Sequence, residues 1–231
     1  MISNAEIKRV KALQSKKFRD ESGLFVVEGE KMVAEALESG LQVEAVYRRD
    51  EIGEQAMARI SSLNSPSPVL AVVRQAAAPD IDEIRSFVRS CGRDMLAIAL
   101  DEIRDPGNLG TIIRLADWYG IDAVFCSAGT VELYNPKVVQ STMGAIFRKK
   151  VIYCDLNNIF DIFASNGLPI YGTFLEGEDI YRSELSSGGL IVMGNEANGI
   201  SPELRSRISA KLFIPPYPGN RKTAESLNVA I

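Results

Sequence analysis

Three stretches of the chain place polar side chains directly after hydrophobic runs, at turns rich in glycine or proline. They are DEIRDPGNLGTIIRLADWYGID (101–122), LIVMGNEANGIS (190–201) and LFIPPYPGNRKTAESLNVAI (212–231). In the second, the hydrophobic run breaks at Gly194 and one carboxylate, Glu196, stands between two amides, Asn195 and Asn198. A buried strand that ends in a glycine loop with an isolated acid is how open α/β sheets build ligand sites, at the carboxyl ends of their strands. The expectation is that the three loops make one site. Each candidate also has an ordinary reading. Glu196 could be an exposed loop acid. Arg114 could form a surface ion pair with Asp117, three residues on. Its neighbours Ile112, Ile113, Leu115 and Ala116 argue instead for partial burial, and a buried arginine needs a partner such as a phosphate or a ribose edge. Thr223 or Ser226 could simply cap a helix. Ile214-Pro215-Pro216 leaves a strand without regular pairing, so its carbonyls could accept hydrogen bonds from a ligand amine.

The composition narrows the chemistry. The chain has no histidine, which removes the usual general base and every Ser-His or Cys-His arrangement. Catalysis would have to run on Arg, Lys, Glu, Asn, Ser or Tyr. Cys91, Cys126 and Cys154 are odd in number, widely spaced and without a CxxC pair, so neither a disulfide framework nor a metal site is expected. No G-x-G-x-x-G follows the run MLAIAL (95–100), and no Walker loop occurs. No apolar run approaches the ~18–20 residues that span a bilayer. The N-terminal stretch lacks the hydrophobic core of a secretory signal, so a cytoplasmic location is expected.

Net charge is −4, from 26 basic and 30 acidic residues, which does not by itself advertise a nucleic-acid binder. The distribution says more. Residues 1–19 carry Lys8, Arg9, Lys11, Lys16, Lys17 and Arg19 against one acid, Glu6. Arg148-Lys149-Lys150 and Arg221-Lys222 are smaller clusters. Such clusters suit a phosphate backbone; solvated helix faces are the plain alternative.

The elements that must position these residues follow from periodicity. A basic helix is expected over 4–19, then a strand at 24–29, a helix over 30–39 ended by Gly40, a strand at 43–47, a helix over 54–63 and a strand at 69–73. That is a small α/β domain over 1–75. Residues 76–93 read as a linker, with a short amphipathic helix or connector at 80–91. Over 94–231 the texture changes to continuous apolar runs at 95–100, 123–127, 150–154, 169–174, 190–194 and 211–215. Helical segments separate them at 109–119, 136–146, 159–165 and 202–208. Runs of this kind alternating with helices predict a mostly parallel, doubly wound sheet.

The three stretches, in this order, are strand–turn–Asn–x5–Arg, then strand–Gly-x-Glu-x-x-Gly, then strand–Ile-Pro followed by Ser-Leu-Asn. The set NLGTIIRLADWYGID (108–122), MGNEANGIS (193–201) and IPPYPGNRKTAESLNVAI (214–231) resembles the motifs of the SpoU (TrmH-like) RNA ribose 2′-O-methyltransferases of the SPOUT superfamily. FVVEGEKMVAEAL (25–37) resembles the ribosomal-protein-like substrate-binding domain often fused to that fold.

The resemblance implies an α/β fold with a C-terminal trefoil knot, a feature no pattern argument would predict, since knots are nearly absent from folds. It implies S-adenosylmethionine as cofactor, held at Gly194, Ile214, Pro216, Ser226 and Leu227, with Thr173 as a weaker contact. It implies Asn108, Arg114, Glu196 and Asn228 as the catalytic set, with Glu196 and Asn228 holding Arg114 and the ribose. RNA is the implied partner, ribosomal rather than transfer RNA, bound through the N-terminal cations and Arg221 and Lys222. The family acts as a homodimer, with Arg114 able to work across the interface, and needs no metal. Two departures stand out. The loop from Ile214 to Ser226 is long for the pattern, and the family's sequence continues as a helix where this one stops, three residues after Asn228. Two other readings stay open. One is a non-catalytic RNA-binding protein on the same fold. The other is a ligand-binding α/β enzyme unrelated to RNA, against which the missing glycine fingerprints and the basic N-terminal helix weigh.

Overall fold

The computed structural model describes residues 2–217, 224 and 226–230. In chain order the elements begin with α1 (Asn4–Ala12), α2 (Lys16–Ser22), β1 (Leu24–Glu28), α3 (Glu30–Glu38), β2 (Val43–Arg48), α4 (Arg49–Ile52), α5 (Glu54–Ile60) and β3 (Val69–Arg74). They continue with α6 (Ile81–Cys91), β4 (Leu96–Asp101), α7 (Pro106–Trp118), β5 (Ala123–Cys126), α8 (Pro136–Thr142), β6 (Lys150–Tyr153) and α9 (Leu156–Ser165). The last four are β7 (Ile170–Asp179), β8 (Gly189–Gly194), α10 (Pro202–Arg205) and β9 (Ala210–Phe213). Two compact units emerge. One is residues 1–77 with 109–114 and 132–148; the other is 78–108, 115–131 and 149–231.

The first unit is built on a three-stranded antiparallel sheet in the order β1-β3-β2. Its core joins Ile7, Val10 and Leu13 to Leu24, Val26, Met57, Ile60, Leu70 and Val72. The single basic helix expected over 4–19 is two helices. The chain turns at 13–15, and Ser15 takes the N-cap position of α2. That break turns Arg19 inward. Its side chain is 2% exposed, its Nε donates to Glu132 at 2.9 Å and its Nη1 to the Leu13 carbonyl at 2.8 Å. Arg19 is therefore not an RNA-binding residue, contrary to the expectation from its cluster; a buried guanidinium stays buried only where it is paired. The same stretch 132–148 meets β1 again through Tyr134, whose ring centroid lies 4.6 Å from that of Phe25. α8 ends at Thr142, short of the expected 146, because Met143 adopts a left-handed conformation (φ 50°) before a 3₁₀ turn at Ala145–Phe147. Gly110 of α7 packs so tightly that a Cβ there would lie 2.3 Å from the Ser141 side chain, so only glycine allows this approach.

The second unit carries a six-stranded, all-parallel sheet in the order β6-β5-β4-β8-β7-β9. The interior strands β4 and β5 are buried nearly throughout, as expected where helices cover both faces, while the edge strands β6 and β9 are only partly buried. α6 occupies the expected connector, with a full Asp80–Glu83 capping box, and its Ile84 and Val88 join the core of β4, β5, β8 and α9. The chain runs outward from β4 to β5 and β6, then crosses to β7, β8 and β9 on the other flank. The switch of direction falls between β4 and β8, whose last residues, Asp101 and Gly194, pair. Open α/β sheets leave a crevice for ligands at such a switch point.

The Arg19–Glu132 pair yields a stability prediction. Arg19→Met leaves Glu132 without its guanidinium and should cost about 3 kcal/mol in urea unfolding at neutral pH, most of which Glu132→Leu added to it should recover. An Arg19→Met chain as stable as the parent would show that the pair contributes nothing.

Candidate active site

The site begins where β4 ends. After Asp101 the chain turns sharply at Glu102, one of two non-glycine residues with positive φ among the described residues (58°). It passes through Ile103 and Arg104 to Asp105, which caps α7: its Oδ1 accepts the Asn108 amide at 2.9 Å, and Pro106 fills the first helical position. The cap and proline start α7 three residues earlier than periodicity suggested, and so place Asn108 in its first turn.

β8 ends next to this turn. Gly194 sits against its own loop, where a Cβ would lie 2.1 Å from the Gly199 carbonyl carbon and from the Ile200 nitrogen, so no other residue fits. Asn195 and Gly199 exchange backbone hydrogen bonds of 3.0 and 2.8 Å, which close the loop around Glu196. Arg205 braces the far side, its Nε donating to the Ile200 carbonyl at 2.6 Å. The Asp101 carboxylate, 6% exposed, accepts the Ser201 amide at 2.7 Å.

Glu196 reaches across to the start of α7. Its carboxylate accepts Asn108 Nδ2 at 2.9 Å and, at 3.4 Å each, the backbone amides of Arg104 and Asp105. The first bond is the strong one; 3.4 Å lies at the long end for N–H···O. Burial by itself would raise the pKa of Glu196, but the Asn108 bond and the surrounding amides outweigh it and hold the carboxyl below its ordinary 4.5. The positive end of the α7 dipole adds to the same effect. Burial pushes the Cys154 thiol up to about 12 and drives that of Cys126 higher as well, so neither is a ready nucleophile.

The other expected site residues fall as follows. Arg114 is exposed and makes no ion pair or side-chain hydrogen bond among the described residues, which corrects both the expected partial burial and the Asp117 pair. It lies six residues along α7 from Asn108, roughly 9 Å of helical rise at 1.5 Å per residue. Asn228 is exposed and its Oδ1 accepts the Ala230 amide at 2.8 Å, closing its own turn. The Thr173 hydroxyl donates to the Val192 carbonyl at 3.2 Å, tying β7 to β8. Ile214 and Leu227 are 39% and 57% exposed, and Ser226 and Pro216 are exposed too. Arg221, Lys222 and Thr223 lie outside the described residues. Among the N-terminal cations, Arg9 pairs with Glu6 at 2.8 Å, Lys16 with Asp20 at 2.5 Å and Lys17 with Glu21 at 3.9 Å. Lys8 and Lys11 are exposed and have no ion pair among the described residues. Sequence reasoning missed the Arg104 and Asp105 amides, which have no side-chain signature. It also passed over the turn at Glu102, an unexpected residue for left-handed backbone.

The SpoU rRNA Methylase family model matches residues 95–231, and the MRM3-like substrate binding domain model matches 4–76. The chain is 30% identical over 244 residues to the 23S rRNA (guanosine(2553)-2′-O)-methyltransferase RlmP of Bacillus subtilis, across 99% of this chain and 92% of that protein. A TrmH-family structure from Porphyromonas gingivalis superimposes with a TM-score of 0.85 at 32% identity, over 100% of this chain and 94% of that one. An AdoMet-bound rRNA methyltransferase structure from Sinorhizobium meliloti does so with a TM-score of 0.83 at 29% identity, over 100% and 91%.

The Glu196 clamp makes a pH-dependent prediction. A carboxyl whose folded pKa is depressed stabilises the fold fully above its unfolded value near 4.5, and the contribution disappears as pH falls through the folded value. Asn108→Ala should move the Glu196 titration, followed by carboxyl-carbon NMR, up toward that ordinary value. It should cost about 1–2 kcal/mol at pH 7 and less at pH 3. An unmoved titration would remove Asn108 as the cause.

Proposed function

The chain belongs to the SpoU rRNA methylase family, and we propose that it transfers a methyl group from S-adenosylmethionine to a ribose 2′-oxygen of ribosomal RNA. The observation that carries this reading is the Glu196–Asn108 bond at the switch point of the parallel sheet, where both residues fall in the family's motifs. The 2′-O activity on 23S rRNA named for the Bacillus subtilis relative supports ribosomal over transfer RNA.

The carboxyl edge of the sheet fits the cofactor. Gly194 ends β8 and Ile214 follows β9 on that edge, with β7 and Thr173 between them. Ile214 makes no backbone hydrogen bond among the described residues and, like Leu227, presents an apolar surface. Free backbone groups beside apolar side chains suit the edge and faces of an adenine ring. Gly194, Ile214, Pro216 and Leu227, helped by Thr173 and Ser226, would hold the cofactor. Bound there, it supplies an electrophilic methyl on a sulfonium that leaves as a thioether.

The chain's own residues orient the RNA and manage charge. The ribose 2′-hydroxyl would be aligned in line with the methyl group and, as its oxygen bonds to the methyl carbon and the carbon–sulfur bond breaks, would release its proton to solvent. Arg114 is an exposed cation with no ion pair or side-chain hydrogen bond among the described residues, and we assign it to the RNA phosphate or the ribose hydroxyl. A guanidinium stays protonated, so its part is to orient and to stabilise developing negative charge rather than to act as base. Glu196, held below its usual pKa, is a poor proton acceptor at neutral pH and serves as an anchor. Asn228 is assigned to the ribose.

Lys8 and Lys11 lie three residues apart on α1, and Arg59 of α5 donates to Asn4 Oδ1 at 3.1 Å on the same helix. These three are the first candidates for the RNA backbone. Arg9, Lys16 and Lys17 follow, since exposed ion pairs are weak enough for a phosphate to displace. In this reading residues 1–75 bind RNA, 76–93 connect, and 94–231 form the knotted methyltransferase domain. Trp118 and Tyr119, 84% and 71% exposed, support a homodimer in which α7 takes part. The three free cysteines suit a cytoplasmic setting.

Labelled methyl from S-adenosylmethionine should enter ribosomal RNA at a ribose 2′-oxygen and make the adjacent phosphodiester resistant to alkali. Arg114→Ala should keep cofactor affinity within about twofold and lose roughly 100-fold or more in turnover. A protein that binds both ligands without transfer would be an RNA-binding protein on this fold. Unchanged turnover in the variant would remove Arg114 from the mechanism.

A further inference from the structure

Glu102 holds a left-handed backbone conformation (φ 58°) that is unfavourable for a non-glycine residue, at the point where β4 gives way to the loop that faces Glu196. Two side chains from neighbouring strand ends hold it there. The Glu102 amide donates to Ser127 Oγ at 2.9 Å, and its carbonyl accepts Asn195 Nδ2 at 2.8 Å. Asn195 is 8% exposed and fully engaged: its Oδ1 also accepts the Ala197 and Asn198 amides, each at 3.0 Å. One side chain thus fixes both loops. Its oxygen folds the loop that carries Glu196, and its nitrogen grips the turn that aims the Arg104 and Asp105 amides. The charged groups around that turn are otherwise occupied. Arg104 pairs with the Glu102 carboxylate at 2.8 Å, and Asp105 caps α7.

We infer that Asn195 is a positioning residue for methyl transfer: it latches the strained Glu102 turn so that the Arg104 and Asp105 amides face Glu196 and hold it against Asn108. This rests on the proposed function for its effect on turnover, but not for its effect on the carboxylate. The two hydrogen bonds together hold the turn in its unfavourable conformation.

Asn195→Asp separates the two tasks. The aspartate can still accept the Ala197 and Asn198 amides, but it cannot donate to Glu102. The Glu196 titration, read by carboxyl-carbon NMR on the protein without RNA or cofactor, should move up toward the ordinary carboxylate range. Turnover should fall about tenfold, with the KM for RNA within about twofold. Adding Glu102→Gly, which adopts left-handed backbone without penalty, should return at least part of both. Ser127→Ala removes the other bond to Glu102 without placing a new carboxylate beside Glu196, so its titration shift, expected in the same direction, is the deciding one. An unmoved Glu196 titration in Ser127→Ala would overturn the latch, as would a turnover loss in Asn195→Asp that Glu102→Gly leaves untouched. If the parent protein transfers no methyl group, the functional reading fails while the titration still decides the latch.

Discussion

The carboxylate of Glu196 leaves the end of β8 and is held by the first turn of α7, the helix that follows β4. β4 and β8 are the two strands between which the parallel sheet reverses its direction of growth. Two loops that the topology only brings side by side are joined there by a charge-assisted bond. Glu196 is exposed, so water screens the bond, which contributes about 1 kcal/mol. Nearly every other feature of the site can be traced to what that bond requires. Gly194 lets the loop turn back on itself, Asp105 and Pro106 start α7 early enough to bring Asn108 within reach, and Asp101 and Arg205 fasten the chain that returns to α10.

The arrangement also sets what Glu196 can do. Burial opposes its charge, and the donors around it restore the charge and more. A carboxylate stabilised in this way holds partners instead of exchanging protons. With no histidine in the chain and the Cys126 and Cys154 thiols pushed up by burial, acid–base chemistry has no strong agent here. A reaction whose nucleophile needs alignment, and whose electrophile comes with its own leaving group, suits such a site. Methyl transfer to a ribose hydroxyl meets that description.

Much of this was legible in the sequence, for physical reasons that differ from element to element. The interior strands β4 and β5 read clearly because strands buried on both faces appear as unbroken apolar runs. Glu196 and Asn108 could be found because each follows a strand end at a turn. Arg19 was not legible. It sits in a run of cations, and the acid that buries it lies 113 residues away. Arg114 misled in the opposite direction, since apolar neighbours along a helix do not fix which way an arginine points. The break at 13–15 was readable in hindsight through Ser15, a good N-cap residue inside what looked like one helix. The strained turn at Glu102 and the amides beyond it were beyond sequence reasoning, because backbone groups and φ angles leave no trace in residue type.

A double-mutant cycle on turnover tests the central claim most directly, with Asn108→Ala, Glu196→Ala and the two combined assayed for methyl transfer to ribosomal RNA. If the two side chains act as one clamp, the double variant should lose little more than the worse single one, with a coupling of about 1.5 kcal/mol or more. Losses that simply multiply would contradict the account, since they would mean that Glu196 and Asn108 act separately.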